Sequence, residues 1–238
     1  MRDIEYRPRT ELAKQCASCR SEVSFTVQSN KQPSSNAIHS TSIIGPNPLA
    51  IEITAETHIT LPTYGSVSIA FEVDRIYEIT TNDAGQFELT ERKLEKPYRK
   101  DYDEIPGNRP INWSQCFDLT NWGFIVAREN DRRVGGAAIA HNSADIHLLE
   151  GNEKLALLWD LRVSPDYRGR GLGLEIFQKV EEWCLSRGCT ELKIETQSTN
   201  VSACNFYKRQ GCELRAANRF AYSDYPDEIQ MLWYKSLS

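Results

Sequence analysis

Long apolar runs are missing from this chain. Its apolar stretches, such as residues 155–159, are far shorter than the ~20 residues that a membrane-spanning helix needs. Residues 1–14 carry too many charges to contain the apolar core of a signal peptide. With 40% apolar and 26% charged residues, the composition is typical of a soluble globular protein. We therefore expect a cytoplasmic protein without a membrane partner.

An excess of basic residues is also lacking. The formal net charge is −5 at pH 7, whereas nucleic-acid-binding proteins usually carry a basic patch or stripe. We therefore expect no nucleic-acid partner. An acidic surface instead favours a small cationic substrate, because a cleft of one charge sign concentrates ligands of the opposite sign. The sequence leaves open whether the chain forms a homodimer.

Patterns of metal ligands are sparse. The four histidines share neither metal-ligand nor catalytic-triad spacing. Cys16 and Cys19 form a CxxC pair, but no second pair or Cys/His partner follows at ligand spacing. The seven cysteines are an odd number, which argues against a complete disulfide framework. We expect no metal, and two free thiols at the CxxC pair.

The chain divides into two parts. Residues 1–48 read as an N-terminal extension, because residues 28–48 are rich in Ser, Asn, Pro and Gln and lack a sustained apolar period. Residues 49–238 are patterned throughout, with a run of antiparallel strands followed by strand, helix, strand, helix and strand. This order predicts one domain with a mixed α/β fold whose spine is a sheet.

Apolar periodicity and turn residues place the elements of that domain. Residues 65–70 could be a strand or the start of a helix, 95–110 read as a connecting loop, and 142–154 as a polar insertion. The predicted strands are 49–55, 76–80, 86–93, 123–127, 134–141, 155–163, 192–196 and 228–235, and the predicted helices are 172–187 and 201–210.

Glycines gather where the strand 155–163 turns into the helix that begins at Leu172. The segment runs Arg168-Gly169-Arg170-Gly171-Leu172-Gly173. Glycine lets a ligand approach the backbone closely, and the first N–H groups of a helix lack internal partners and carry the positive end of its dipole. Such a turn can seat a pyrophosphate. The spacing fits neither a P-loop nor a dinucleotide fingerprint, and an ordinary glycine-rich turn is the alternative.

A second motif follows the next strand. It carries Asn200, Ala203, Tyr207 and Gly211 in the pattern N-x-x-A-x-x-x-Y-x-x-x-G. With the R-x-x-G-x-G segment, it resembles the GNAT superfamily of acetyltransferases over roughly residues 121–238. The tail through Tyr222 resembles streptothricin-type acetyltransferases, and residues 76–102 do so more faintly.

The resemblance implies a GNAT-like mixed central sheet, with antiparallel N-terminal strands, a splayed parallel pair and flanking helices. It also implies acetyl-CoA as co-substrate. Tyr207 would lie near the thioester sulfur and protonate the leaving thiolate as general acid, a role suited to a group that is protonated at neutral pH. The implied cofactor-binding residues are Leu161, Arg162, Val163, Arg168, Gly169, Arg170, Gly171, Leu172, Gly173, Asn200 and Tyr207, the first three through their backbone along the pantetheine arm.

Two carboxylates are candidates for the general base. Asp160 interrupts an apolar strand, where a carboxylate is costly unless it is paired or neutralised, and Glu195 lies near the end of the adjacent strand. Both could face an amine bound where the sheet splays. Each could instead form a salt bridge with Arg162 or Lys193.

The function implied is acetyl-CoA-dependent transfer of an acetyl group to a primary amine. The acceptor would be a small cationic molecule, either a streptothricin-like antibiotic or a polyamine-like amine. An acidic aromatic loop at residues 222–227 could recognise such a cation, or could be only a solvated loop. Alternatives are an acetyltransferase of protein or peptide amines and a non-catalytic module that senses acyl-CoA. A longer acyl donor is also left open.

Overall fold

A computed structural model describes residues 51–238. The N-terminal extension predicted for residues 1–48, and the pair Cys16 and Cys19 within it, lie outside the described residues. The described residues contain nine strands and four α-helices, together with four 3-10 helices of three residues each. The strands are β1 Ile51–Glu56, β2 Phe71–Thr81, β3 Phe87–Lys100, β4 Gly123–Glu129, β5 Arg132–His141, β6 Leu155–Val163, β7 Glu191–Gln197, β8 Glu213–Asn218 and β9 Gln230–Ser236. The helices are α1 Leu61–Tyr64, α2 Pro110–Cys116, α3 Leu172–Ser186 and α4 Val201–Arg209.

Seven strands form the main sheet, in the order β1-β4-β5-β6-β7-β9-β8. All neighbours are antiparallel except β6 and β7, which are joined through α3 and run parallel. Strands β2 and β3 form a separate hairpin, which packs on the main fold through Tyr77, whose N–H donates to Ser198 O at 2.8 Å. The predicted mixed α/β sheet with one parallel pair is confirmed.

Apolar side chains cover both faces of the main sheet. On one face, α3 and α4 pack through residues such as Ile176 and Phe177, both fully buried. On the other face lies an aromatic cluster that includes Trp113, Trp122 and Trp159. Strand β6 contributes alternate side chains to the two faces, as its continuous apolar sequence predicted. The site described below therefore rests on a strand that is packed from both sides.

The parallel pair separates before its end. Strands β6 and β7 are paired only from Leu155 opposite Glu191 to Leu158 opposite Ile194. On its other side β6 stays paired with β5, but the register shifts there, so that Trp159 is an extra residue between Leu158 and Asp160. Such a bulge bends a strand and increases its twist. The outer parts of β6 and β7 therefore diverge and leave a gap between them.

Several predicted elements match the structure closely. Strand β6 has the predicted bounds, and α3 and α4 begin where predicted, at Leu172 and Val201. Helix α3 is followed by Gly188 at φ 76°, the left-handed conformation expected after its last turn. Both predicted hairpins are present, and the Asn82 side chain accepts hydrogen bonds from two backbone amides in the first turn.

Other predictions were wrong. Residues 65–70 form turns and irregular chain rather than a strand or helix start, and 95–100 extend β3 rather than lying in a loop. Pro97 suggested a loop, but it lies in a stretch of β3 that is unpaired between Lys93 and Tyr98, where a missing N–H does no harm. The insertion 142–154 buries three apolar residues, Ile146, Leu148 and Leu149. Helix α2 and strand β8 were not predicted.

Candidate active site

A groove runs along the end of β6 and the glycine-rich turn, with a cavity volume of about 460 Å³. Gly169 and Gly171 adopt φ values of 73° and 94°, and a Cβ atom added at either would meet nothing within 4 Å. Gly171 is the N-cap of α3, and no side chain among the described residues caps that terminus. The turn is thus open toward the groove. Its backbone amides lie at a helix N-terminus, a place where phosphate groups commonly bind in proteins.

Most of the residues predicted to bind the cofactor line this groove. They are Leu161, Arg162, Val163, Arg168, Gly169, Gly171, Gly173, Asn200 and Tyr207. Two others do not. The Leu172 side chain is 2% exposed and packs in the core beneath α3, while the Arg170 guanidinium lies over the Tyr167 ring, 5.9 Å from its centroid. For Leu172, only the backbone amide can serve a ligand in the groove.

Arg168 is bound to backbone rather than extended toward the groove. Its guanidinium donates to Val163 O at 2.9 Å, to Ala70 O at 2.8 Å and to Ser68 O at 3.2 Å. Partial burial lowers the pKa of this guanidinium. Arg168 therefore ties the segment before β2 to the end of β6. Ile69, between the two bound residues of that segment, lines the groove.

Asn200 is the N-cap of α4. Its side-chain oxygen accepts a hydrogen bond of 3.1 Å from Ala203 N, which satisfies one of the amides that a helix start leaves unpaired. The oxygen of the motif asparagine is therefore already bonded to the backbone at the start of its own helix, and Asn200 also lines the groove.

Several groove residues were missed from the sequence. Ala203 and Phe206 of α4 and Gln210 at its C-terminal end border the groove beside the predicted Tyr207. Their helical spacing from Tyr207 is a signal that could have found them. Ile69 and Phe71 also line the groove, but they come from an irregular segment and the start of β2. No periodicity could have placed them there.

A second cavity of about 70 Å³ occupies the gap between β6 and β7. It shares three lining residues with the groove, namely Ile69, Leu161 and Tyr207. Tyr207 is 7% exposed and stands where the two spaces meet. Asp160 and Glu195 also line this cavity, so the structure brings all three predicted catalytic residues to one place.

Glu195 belongs to a chain of hydrogen bonds along the cavity wall. Its Oε1 accepts from Tyr222 Oη at 2.7 Å and from Gln230 Nε2 at 2.9 Å. Gln197 extends the chain, because its Nε2 donates to Tyr222 Oη at 2.8 Å and its Oε1 accepts from Tyr102. The other oxygen, Glu195 Oε2, is buried and has no hydrogen-bond partner among residues 51–238. Burial, and after it the charge of Glu195, raises the pKa of Tyr222 well above its ordinary value.

Asp160 is bound by a neighbouring arginine. Arg162 Nε donates to Oδ1 at 2.9 Å and Nη2 donates to Oδ2 at 2.8 Å. Tyr64 Oη donates to Oδ1 at 2.8 Å. Arg162 also contacts Asp103, and burial raises the pKa of the Asp103 carboxyl. The Asp160 salt bridge foreseen as the alternative to a catalytic role is therefore present. Lys193, by contrast, pairs with Glu150 and not with Glu195.

The loop at residues 222–227 borders a third cleft of about 530 Å³. Acidic side chains outnumber basic ones in its lining by five to two. Lys100 forms a buried ion pair with Glu228, and Arg99 pairs with Asp101 and Glu104. The acidic residues that line it besides Glu228 are Asp101, Glu104, Asp224 and Asp227. Tyr102 lies beside this cleft in sequence and lines the cavity between β6 and β7. The two spaces therefore flank the same short segment of chain.

Within residues 51–238, no three His, Cys, Asp or Glu side chains are grouped in a way that could hold a metal ion. No helix in the same range combines the length and hydropathy needed to span a membrane.

Two known proteins are similar to this chain in sequence. Streptothricin acetyltransferase A of Bacillus subtilis is 30% identical over 152 residues, which cover 63% of this chain and 80% of that protein. A streptothricin acetyltransferase of Escherichia coli is 31% identical over 167 residues, covering 69% of this chain and 84% of the other.

Solved structures show the same fold. A nourseothricin acetyltransferase superposes with a TM-score of 0.62 at 19% identity, covering 79% of this chain and 99% of that chain. The structure of a Bacillus anthracis protein in complex with acetyl coenzyme A superposes with a TM-score of 0.63 at 20% identity, covering 79% of this chain and 99% of that chain. The acetyltransferase (GNAT) family itself matches residues 85–212. Since that match spans more than half of the chain, this protein belongs to the acetyltransferase (GNAT) family of N-acetyltransferases.

Proposed function

We propose that this protein transfers the acetyl group of acetyl-CoA to a primary amine of a small cationic molecule. One observation carries the proposal: the open groove at the glycine-rich turn meets a small polar cavity at Tyr207, in the gap between β6 and β7. A thioester lying in the groove would present its carbonyl to an amine in the cavity. Two substrates can therefore meet there without a covalent enzyme intermediate.

The part of the site that binds acetyl-CoA consists mainly of backbone groups. The amides from Gly169 to Gly173 bind the pyrophosphate, with the dipole of the 15-residue helix α3 behind them. The Arg168 amide donates instead to Pro165 O at 3.3 Å. Leu161 to Val163 lie beyond the last pair of β6 with β7, so the pantetheine amides can pair with this edge as an added strand would. Arg168 supports the arrangement by holding Ile69 over the groove.

Tyr207 is the general acid in this proposal. Attack of the amine nitrogen on the thioester carbon forms the C–N bond and places negative charge on the carbonyl oxygen, which N–H groups of β6 near the Trp159 bulge can stabilise. When the C–S bond breaks, the thiolate takes the hydroxyl proton of Tyr207. The resulting tyrosinate recovers a proton from solvent.

Glu195 is the residue that binds the acceptor amine in this proposal. Its Oε2, which has no partner among the described residues, can bind an ammonium that gives one proton to solvent before attack. It can then accept the proton that the nitrogen loses as the C–N bond forms, directly or through a water. Asp160 is assigned a different role. Because Arg162 and Tyr64 occupy both of its oxygens, it fixes β6 against the segments around residues 67 and 103.

A cationic acceptor agrees with the surroundings of the cavity. The acidic cleft beside it would attract the rest of a polycationic molecule. Two of the relatives are named streptothricin acetyltransferases, which makes streptothricin the first acceptor to test. A polyamine is the second.

The test is an acceptor screen with the purified full chain. Acetyl-CoA is supplied with streptothricin, putrescine or a peptide with a free N-terminus, and free CoA is measured by chromatography. Saturable, amine-dependent release of CoA with streptothricin or putrescine is expected. Binding of acetyl-CoA without turnover on any of these amines would contradict the proposal and favour a sensing module. Turnover confined to the peptide would overturn the small-molecule assignment.

A further inference from the structure

Asn108 is a buried residue with an unsatisfied oxygen. It lies between β3 and α2 and is 2% exposed. Its Nδ2 donates a hydrogen bond of 2.8 Å to Tyr102 O. Its Oδ1 is buried and has no hydrogen-bond partner within the part of the chain that the structure describes. Buried polar atoms without a partner are rare in folded proteins, and each one calls for an explanation.

The orientation of the amide is fixed by its surroundings. Tyr102 O can only accept a hydrogen bond, so the group that faces it must be the nitrogen of Asn108. Rotating the amide by 180° would place two oxygens against each other. The Oδ1 atom therefore cannot exchange places with Nδ2 to find a partner.

Asn108 is one of the residues that line the cavity between β6 and β7, and Glu195 is another. Each carries a buried oxygen without a partner among residues 51–238, Oδ1 in Asn108 and Oε2 in Glu195. A ligand group that satisfies both must supply two hydrogens. A neutral primary amine has two N–H groups and one lone pair, whereas a secondary amine has one N–H and a hydroxyl has one O–H. A carboxylate or carbonyl oxygen would be repelled by both atoms.

We propose that Asn108 selects a primary amine as the acceptor, with its Oδ1 and Glu195 Oε2 each accepting one N–H of the attacking nitrogen. This inference rests on the proposed function and adds a residue that recognises the substrate. With both N–H groups held, the lone pair points away from the two oxygens and toward the thioester. The cavity volume of about 70 Å³ suits a terminal aminomethyl group rather than a branched centre.

The two oxygens have different roles as the reaction proceeds. When the C–N bond forms, the nitrogen becomes positively charged and must lose one proton. Glu195 can take that proton, whereas the amide of Asn108 cannot be protonated at neutral pH. Asn108 therefore keeps its hydrogen bond throughout and orients the nucleophile, while Glu195 changes its protonation state.

The experiment compares putrescine with N,N′-dimethylputrescine, in which both amines are secondary. Values of kcat/KM are measured for the full-length wild-type protein and for Asn108→Ala, together with the KM for acetyl-CoA. The wild type is expected to prefer putrescine. In Asn108→Ala that preference falls by about tenfold or more, because one hydrogen bond to the primary amine is lost and space for a methyl group is gained. The KM for acetyl-CoA stays within about twofold, in keeping with an effect confined to the acceptor side.

Asn121→Ala is the matched control. Asn121 Nδ2 donates to a backbone carbonyl, Asn142 O, at 3.0 Å, and Asn121 lines neither the groove nor the cavity. A purely structural effect of Asn108→Ala would lower both kcat/KM values together and leave their ratio unchanged. An unchanged ratio in a folded Asn108→Ala protein overturns the inference.

The wild type gives a test that needs no variant. Equal kcat/KM for the two diamines would overturn the inference. A wild type that acetylates streptothricin but not putrescine would also overturn it, because the two oxygens are proposed to recognise the amine group itself. A wild type with no activity on any amine would instead overturn the proposed function. The two failures are therefore distinguishable.

Discussion

Tyr222 Oη donates a hydrogen bond of 2.7 Å to Glu195 Oε1, and Gln197 Nε2 donates to the same phenol oxygen at 2.8 Å. The phenol oxygen of Tyr222 thus links the side chains of Glu195 and Gln197, both on β7, through two hydrogen bonds. Because Oε1 is held by this bond and by Gln230, the carboxylate of Glu195 cannot rotate freely. Its second oxygen therefore keeps one direction.

Tyr222→Phe should weaken acceptor use. Without the hydroxyl, the carboxylate loses one of its two fixed donors, and a hydrogen bond to a charged group is worth about 1.5–3 kcal/mol. We expect kcat/KM for the amine to fall roughly tenfold to a hundredfold, with unchanged affinity for acetyl-CoA by calorimetry. Tyr167→Phe removes a comparable bond, 2.6 Å to Glu129, outside both cavities. If the two variants lost acceptor activity equally, the role assigned to Tyr222 would be wrong.

Tyr207→Phe should slow the chemical step. Loss of a general acid typically lowers kcat by about 10²–10⁴-fold, and the ring that packs against Phe177 and Phe206 is retained. Binding of acetyl-CoA should be unchanged. Tyr77→Phe is the control, because Tyr77 is similarly buried and its hydroxyl bonds to Asn205 Oδ1 at 2.7 Å, away from both cavities. That variant should lose some stability and keep its kcat. A Tyr207→Phe enzyme with full kcat would remove Tyr207 from the mechanism.

Gly171→Ala should weaken binding of acetyl-CoA at least tenfold by calorimetry. The added methyl group meets no protein atom within 4 Å and would project into open space beside the amides that hold the phosphate. The φ of 94° adds strain of about 1–3 kcal/mol. Gly188→Ala introduces the same kind of strain at φ 76°, also with nothing within 4 Å, at the other end of α3. Equal affinity losses in the two variants would show that strain, rather than obstruction of the groove, is responsible.

Glu195→Gln and Asp160→Asn separate the two carboxylates. Glu195→Gln should lower kcat/KM for the amine, because an amide attracts an ammonium less than a carboxylate does and cannot accept its proton at neutral pH. The free energy of unfolding should change little in that variant. In Asp160→Asn, thermal or urea unfolding should instead report a loss of about 3 kcal/mol from the broken buried ion pair with Arg162. The opposite pattern would make Asp160 the base.

Alkaline pH should destabilise the fold through its buried thiols. Burial raises the pKa of Cys204 and of Cys212 to about 12, whereas thiols in an unfolded chain ionise near ~8.5. Their contribution to stability is therefore complete below about pH 8.5 and is lost as pH rises toward 12, by up to ~1.4 kcal/mol per pH unit for each thiol. Urea unfolding at pH 7 and pH 10 should show a smaller decrease for Cys212→Ala than for the wild type. An identical decrease in both would contradict this linkage.

The sequence predicted the elements around the groove at the glycine-rich turn far better than those around the cavity between β6 and β7. The glycine-rich turn, β6, α3 and α4 are contiguous in the chain, so apolar periodicity and two motifs were enough to place them. Tyr102 and Asn108 reach the cavity from a segment that was predicted only as a loop. Their positions depend on contacts between distant parts of the chain, such as Arg162 with Asp103, which leave no periodic trace.

Asp160 shows why a residue type in an unusual place is ambiguous. A carboxylate in an apolar strand indicated function or pairing, and only the positions of Arg162 and Tyr64 distinguish the two. For Glu195, the informative feature is an oxygen that finds no partner among the described residues. Sequence cannot reveal such an atom, because it depends on every neighbouring side chain.

In the proposed mechanism, the polypeptide that surrounds the acetyl donor and the polypeptide that surrounds its recipient are largely different stretches of the same chain. The glycine turn and α4 would serve the first, whereas residues 101–108 and the 222–227 loop would serve the second, with Tyr207 common to both. Exchanging residues 101–108 for those of a related enzyme should therefore change which amines are modified while leaving the affinity for the coenzyme intact. Catalytic machinery and recipient preference can thus be altered separately in this architecture.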